Sequence, residues 1–63
     1  MIHPEAHYLE AGYRYERISL PANRIKRAKE LQALIAAEAP EDQALARQLI
    51  HRGRQEYQTN AKG

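Results

Sequence analysis

By residue type, the groups in this chain best suited to hold a metal are its three histidines, His3, His7 and His51. His3 and His7 stand four apart, a spacing that places two imidazoles on one helical face. Two ligands do not make a site, and His51 would have to join them from another helix or another subunit. The expected reading is therefore solvated surface histidines, with no metal and no cofactor. The hydroxyls outside tyrosine are Ser19 and Thr59, and neither has a histidine beside it in the sequence to serve as its base. Glu41 and Asp42 are paired carboxylates, but next to Pro40 they read as acids at the positive end of a helix dipole. Gly12, Gly53 and Gly63 are isolated, so no glycine-rich loop can cradle a phosphate. No catalytic residue is predicted, and the chain reads as something other than an enzyme.

A second pattern has more content. Tyr8, Tyr13 and Tyr15 interleave with Arg14 and Arg17. Rings beside cations can stack bases and hold phosphates, which would make Tyr13, Arg14, Tyr15 and Arg17 a single-strand or RNA contact. In a chain with no Phe and no Trp, the same rings are also the bulkiest apolar groups. Packing in the core or at a dimer face is the favoured reading, with hydroxyls reaching the rim.

These residues must be held by short elements, and the prolines mark where those elements begin. Proline inside a helix removes a hydrogen bond and clashes with the preceding turn, so Pro21 and Pro40 are expected at helix first turns. Each also biases the residue before it, Leu20 or Ala39, toward extended dihedrals. The spacing predicts three amphipathic helices over about 4–18, 21–37 and 40–58, an all-α fold. Ser19 is the expected N-cap of the second helix. Ile25, Ala28, Leu31 and Ile35 share one arc of that helix, with Leu34 at its edge. In the third helix the apolar stripe is Leu45, Ala46, Leu49, Ile50, Gly53 and Tyr57. The first helix carries two stripes, Tyr8-Ala11-Tyr15-Ile18 and Ala6-Leu9-Tyr13, with Gly12 costing about 1 kcal/mol against Ala. Residues 1–58 form one small helical domain and 59–63 a disordered tail.

Sixty-three residues of which 43% are apolar, many of them Ala, make a thin core. Without Cys for disulfides, association is the remaining way to stabilise so small a chain. A two-fold helical homodimer is expected, using Tyr8, Tyr15, Ile18, Leu31, Ile35, Leu45, Leu49 and Tyr57 toward its mate or an unknown protein partner. No signal peptide or membrane span is expected, which makes the cytoplasm the default location. The formal charge of +2 is unevenly spread. From Arg14 to Lys29 the only acid among six bases is Glu16, a cluster that can attract the phosphates of a nucleic-acid partner, although ordinary solvated helix faces are the favoured reading.

From Arg17 onward the chain resembles ribbon-helix-helix DNA-binding proteins. The run Arg17-Ile18-Ser19-Leu20-Pro21 is similar to the end of that family's strand, and Leu45 through Gly53 to its second helix. The resemblance implies a dimer with a strand at 13–20 that enters the major groove. Tyr15, Arg17 and Ser19 would then face bases, Ile18 and Leu20 would face the core, and Arg24 and Arg27 would lie near the nucleic acid. Glu16 departs from the pattern, because it would occupy an inward strand position. In its brevity and its Ala, Arg and Gln content the chain also resembles short accessory proteins of lambda-like temperate phages. The favoured expectation is a non-enzymatic regulatory or adaptor protein acting through protein–protein contact; the alternative is a ribbon-helix-helix transcriptional regulator.

Overall fold

Both internal prolines open helices, as their missing N–H requires. The computed structural model describes residues 5–62. It is all-α, with α1 at Glu5–Arg17, α2 at Pro21–Ala36 and α3 at Pro40–Lys62. No strand occurs among the described residues. Pro21 is the first helical residue of α2, and it holds Leu20 extended at φ −79° and ψ 123°. Leu20 is thus the N-cap, without a side-chain bond to the helix, and its carbonyl accepts from Arg24 N at 3.0 Å. This corrects the assignment of Ser19, which lies one residue too early once proline takes the first helical position. The α2–α3 turn closes through Ala37 N to Ala33 O (3.1 Å) and Glu38 N to Ile35 O (3.0 Å).

The far end differs from expectation as well. Helix α3 continues to Lys62 instead of stopping near 58. Its last turn takes in Thr59, Asn60 and Ala61, none of which breaks a helix.

Helices α1 and α3 form the main packed pair, and α2 touches both only lightly. The core is Tyr8, Ala46, Leu49 and Ile50, with Leu9, Leu31, Leu34 and Ile35 partly buried against it. At the α1–α3 crossing two glycines meet the opposing backbone, and both are buried. A Cβ on Gly12 would overlap the carbonyl oxygen of Ile50 and sit 2.8 Å from its carbon. A Cβ on Gly53 would likewise overlap the carbonyl oxygen of Leu9 and lie 3.0 Å from Tyr13 N. Neither glycine has positive φ. They are required here for close approach, not for a special backbone conformation. The obstacles are backbone atoms on rigid helices, which cannot swing aside as a side-chain end would.

Gly12→Ala and Gly53→Ala are each expected to destabilise the fold by about 1–3 kcal/mol through overpacking. That loss outweighs the roughly 1 kcal/mol that Ala offers a helix interior. Urea titration followed by circular dichroism measures it. A raised midpoint for either variant would mean that the helices do not cross at these residues.

Candidate protein-contact surface

Two polar anchors flank the glycine crossing, and they decide which faces remain outside. Tyr8, Gly12 and Glu16 recur every fourth residue on α1, so they fall on one stripe. Tyr8 is fully buried, and its phenol lies within the electrostatic reach of the Glu38 carboxylate in the α2–α3 turn. Burial, then Glu38, then the charge of Asp42, push the phenol above its ordinary value, so it stays protonated. Gln43 Nε2 donates to the Glu38 carbonyl at 3.1 Å, which holds the turn from its other side.

At the opposite end Glu16, whose side chain is 13% exposed, receives Arg54 Nε at 2.7 Å. Arg24 Nη2 lies 3.6 Å from its other oxygen. The Arg54 hydrogen bond holds the carboxyl below the usual carboxylate range against the upward push of burial. The charge of Arg54, a hydrogen bond from Gln58 and the charge of Arg24 reinforce that lowering. Arg24 also donates Nη1 to the Ile18 carbonyl at 2.9 Å. Both guanidinium carbons lie against the Tyr15 ring, 4.7 Å from its centroid for Arg24 and 4.9 Å for Arg54, within cation–π range. One carboxylate and one ring from α1 therefore join Arg24 of α2 to Arg54 of α3.

The residues expected to face a partner divide sharply. Tyr8 and Leu49 are consumed in the core of this same chain. Tyr57 is half-buried and meets Tyr13 edge to face at 5.2 Å. Tyr15 is half-buried beneath the two arginines, and Ile18, Leu31 and Ile35 are also half-buried. Leu45 is exposed. Of the residues assigned to nucleic acid, Arg17, Ser19 and Arg27 are exposed, while Arg24 is turned into the Glu16 network. Tyr13 to Arg17 form the final turn of α1. His7 packs edge to face on Tyr8 at 5.5 Å, and His51 is exposed on α3. His3 lies outside the described residues. Among those described, no three His, Cys, Asp or Glu side chains gather to hold a metal.

The least covered helix is α2. None of its residues is buried, and Leu20 and Ile25 are each 62% exposed. Between α1 and α2 runs a groove of about 330 Å³, with Ala11, Leu31 and Leu34 among its lining residues. Two ion pairs edge it. On α1, Arg14 Nη2 meets Glu10 Oε1 at 2.6 Å. On α2, Arg27 Nη1 meets Glu30 Oε2 at 3.0 Å. Sequence periodicity assigned Leu31 and Leu34 to the apolar side of α2 but carried no sign that α1 would leave a gap there. Glu16, Glu38 and Arg54 were missed as anchors because each sits among ordinary helix-surface charges in the sequence. No helix among the described residues is long and apolar enough to cross a membrane. Comparison with protein-family models, curated proteins and solved structures gives no match.

The Glu16 anchor makes stability depend on pH in a defined direction. Its carboxyl is lowered in the fold, so its contribution is present above the ordinary carboxyl pKa and lost as pH falls through the folded value. Because Arg54 is partly exposed, Glu16→Gln is expected to cost about 1–2 kcal/mol at neutral pH. The gap from wild type should close below about pH 4. Urea unfolding of both proteins across pH 3–7 reads it, and a gap of constant size would show that the carboxylate charge is not the cause.

Proposed function

We propose that this chain is a small non-enzymatic helical protein that acts by contacting other protein, in a regulatory or adaptor role, and works as a homodimer. The observation that carries this reading is the state of α2. It is an amphipathic helix of 16 residues with none buried; Leu20, its N-cap, and Ile25 within it are left largely uncovered. Isolated exposed leucines are ordinary on protein surfaces. A whole helix with no fully buried residue, touching the core only through the half-buried Leu31, Leu34 and Ile35, is not, because ordering its backbone opposes folding by about 1–2 kcal/mol per residue. A contact made elsewhere offsets that term.

The helix across Tyr13–Arg17 favours this reading over a ribbon-helix-helix regulator, which needs those residues extended. The inward turn of Arg24 points the same way, since its charge is already met by Glu16 and Tyr15.

A photo-crosslinking amino acid placed at position 25 tests the reading in the cell that makes the protein. Position 25 should give discrete higher-mass adducts, while the same probe at position 55 on the exposed side of α3 should give none. Equal labelling at both positions, or no adduct from position 25, would refute a contact role for α2.

A further inference from the structure

We infer that the groove between α1 and α2 is the self-association face, and that its occupant is the same face of a second copy of this chain. This rests on the contact role proposed for α2 and specifies where two copies meet. Three observations on the molecule converge.

The first is surface. A compact monomer of 7.3 kDa is expected to expose about 4,200 Å². This chain exposes 4679 Å², roughly 500 Å² more than that scaling gives. Its radius of gyration of 11.7 Å likewise exceeds the roughly 10.6 Å of a compact chain of this length. The excess is of the order of what one partner contributes to a stable interface, about 800 Å².

The second is shape and chemistry. The groove holds about 330 Å³, and Ala11, Leu31 and Leu34 supply an apolar lining. Leu31 and Leu34 are only half-buried within the chain.

The third is charge, and it selects the occupant. Besides His7, the rim holds two acids, Glu10 and Glu30, and two bases, Arg14 and Arg27. A partner carrying one sign of charge meets as much repulsion there as attraction. A second copy related by a two-fold axis brings the same two acids and two bases in reversed order. Each can exchange its local ion pair for one across the interface. Such self-complementarity is what an isologous dimer requires. Both local pairs are exposed and therefore contribute little where they are, so exchanging them is inexpensive.

Charge exchange tests the assignment. In one variant Glu10→Lys and Glu30→Lys make every rim charge positive. In the other Arg14→Glu and Arg27→Glu make every rim charge negative. By sedimentation equilibrium at micromolar concentration, wild type should show twice the 7.3 kDa chain mass. Each variant alone should be monomeric, and their equimolar mixture should recover the dimer. Leu34→Ala, which removes apolar contact without adding charge, should weaken dimerisation at least tenfold while circular dichroism stays helical.

A monomeric wild type overturns the inference, as do charge variants that both remain dimeric or a mixture that stays monomeric. If wild type is monomeric while position 25 still crosslinks to another protein, this inference fails and the adaptor role stands. If neither association appears, both fall.

Discussion

Two α-helices ordinarily pack with their axes 8–10 Å apart, held off by the side chains between them. At the crossing of α1 and α3 there are no such side chains. Gly12 lies against the backbone of Ile50 and Gly53 against that of Leu9 and Tyr13. The rest of the molecule is arranged around this contact. It brings the α1 stripe down onto α3, so that Ala46, Leu49 and Ile50 are sealed beneath Tyr8. It also sets the reach of the polar groups on that stripe. Tyr8 lies one helical turn before Gly12 and meets Glu38, and Glu16 lies one turn after and meets Arg54. A wider crossing would draw both pairs apart.

The two anchors differ in physical kind. Tyr8 is sealed in the core with its phenol neutral beside the half-buried Glu38 carboxylate, so no second charge is buried there. Glu16 is held ionised by Arg54, with Arg24 and Gln58 adding to the effect. Because Arg24 belongs to α2 and also binds the Ile18 carbonyl, this second anchor is the main polar tie of α2 to the pair. The apolar contribution of α2 comes from Leu31, Leu34 and Ile35, none of them fully covered. The tie fixes where the helix lies without burying it. Such a helix retains an apolar surface suited to contact with another protein.

The basic stretch from Arg14 to Lys29 takes on a different meaning in this setting. Arg14 and Arg27 are paired along their own helices, and Arg24 is paired inward. Arg17, Lys26 and Lys29 are exposed. Half of the apparent positive cluster is thus paired, Arg24 inward and Arg14 and Arg27 on the groove rim, and mixed rims favour specific pairing over general attraction to a polyanion.

Much of the local structure was legible in the sequence. Proline cannot continue a helix, and this placed the starts of α2 and α3 at Pro21 and Pro40. The apolar period grouped Ala46, Leu49, Ile50 and Gly53 on one face of α3, and all four are buried. The same period put Tyr8 and Tyr15 together, but it could not say that one would be sealed and the other capped by arginines. Only the tertiary structure decided that Gly12 is a contact and not merely a weak point of α1, because its value depends on a backbone some forty residues away. It also turned Glu16 from a misplaced charge into an anchor, since a carboxylate's role is set by which cations the fold brings to it. Local propensity acts between neighbours in the chain. Which helix is left partly uncovered is a matter of how closely the other two can approach.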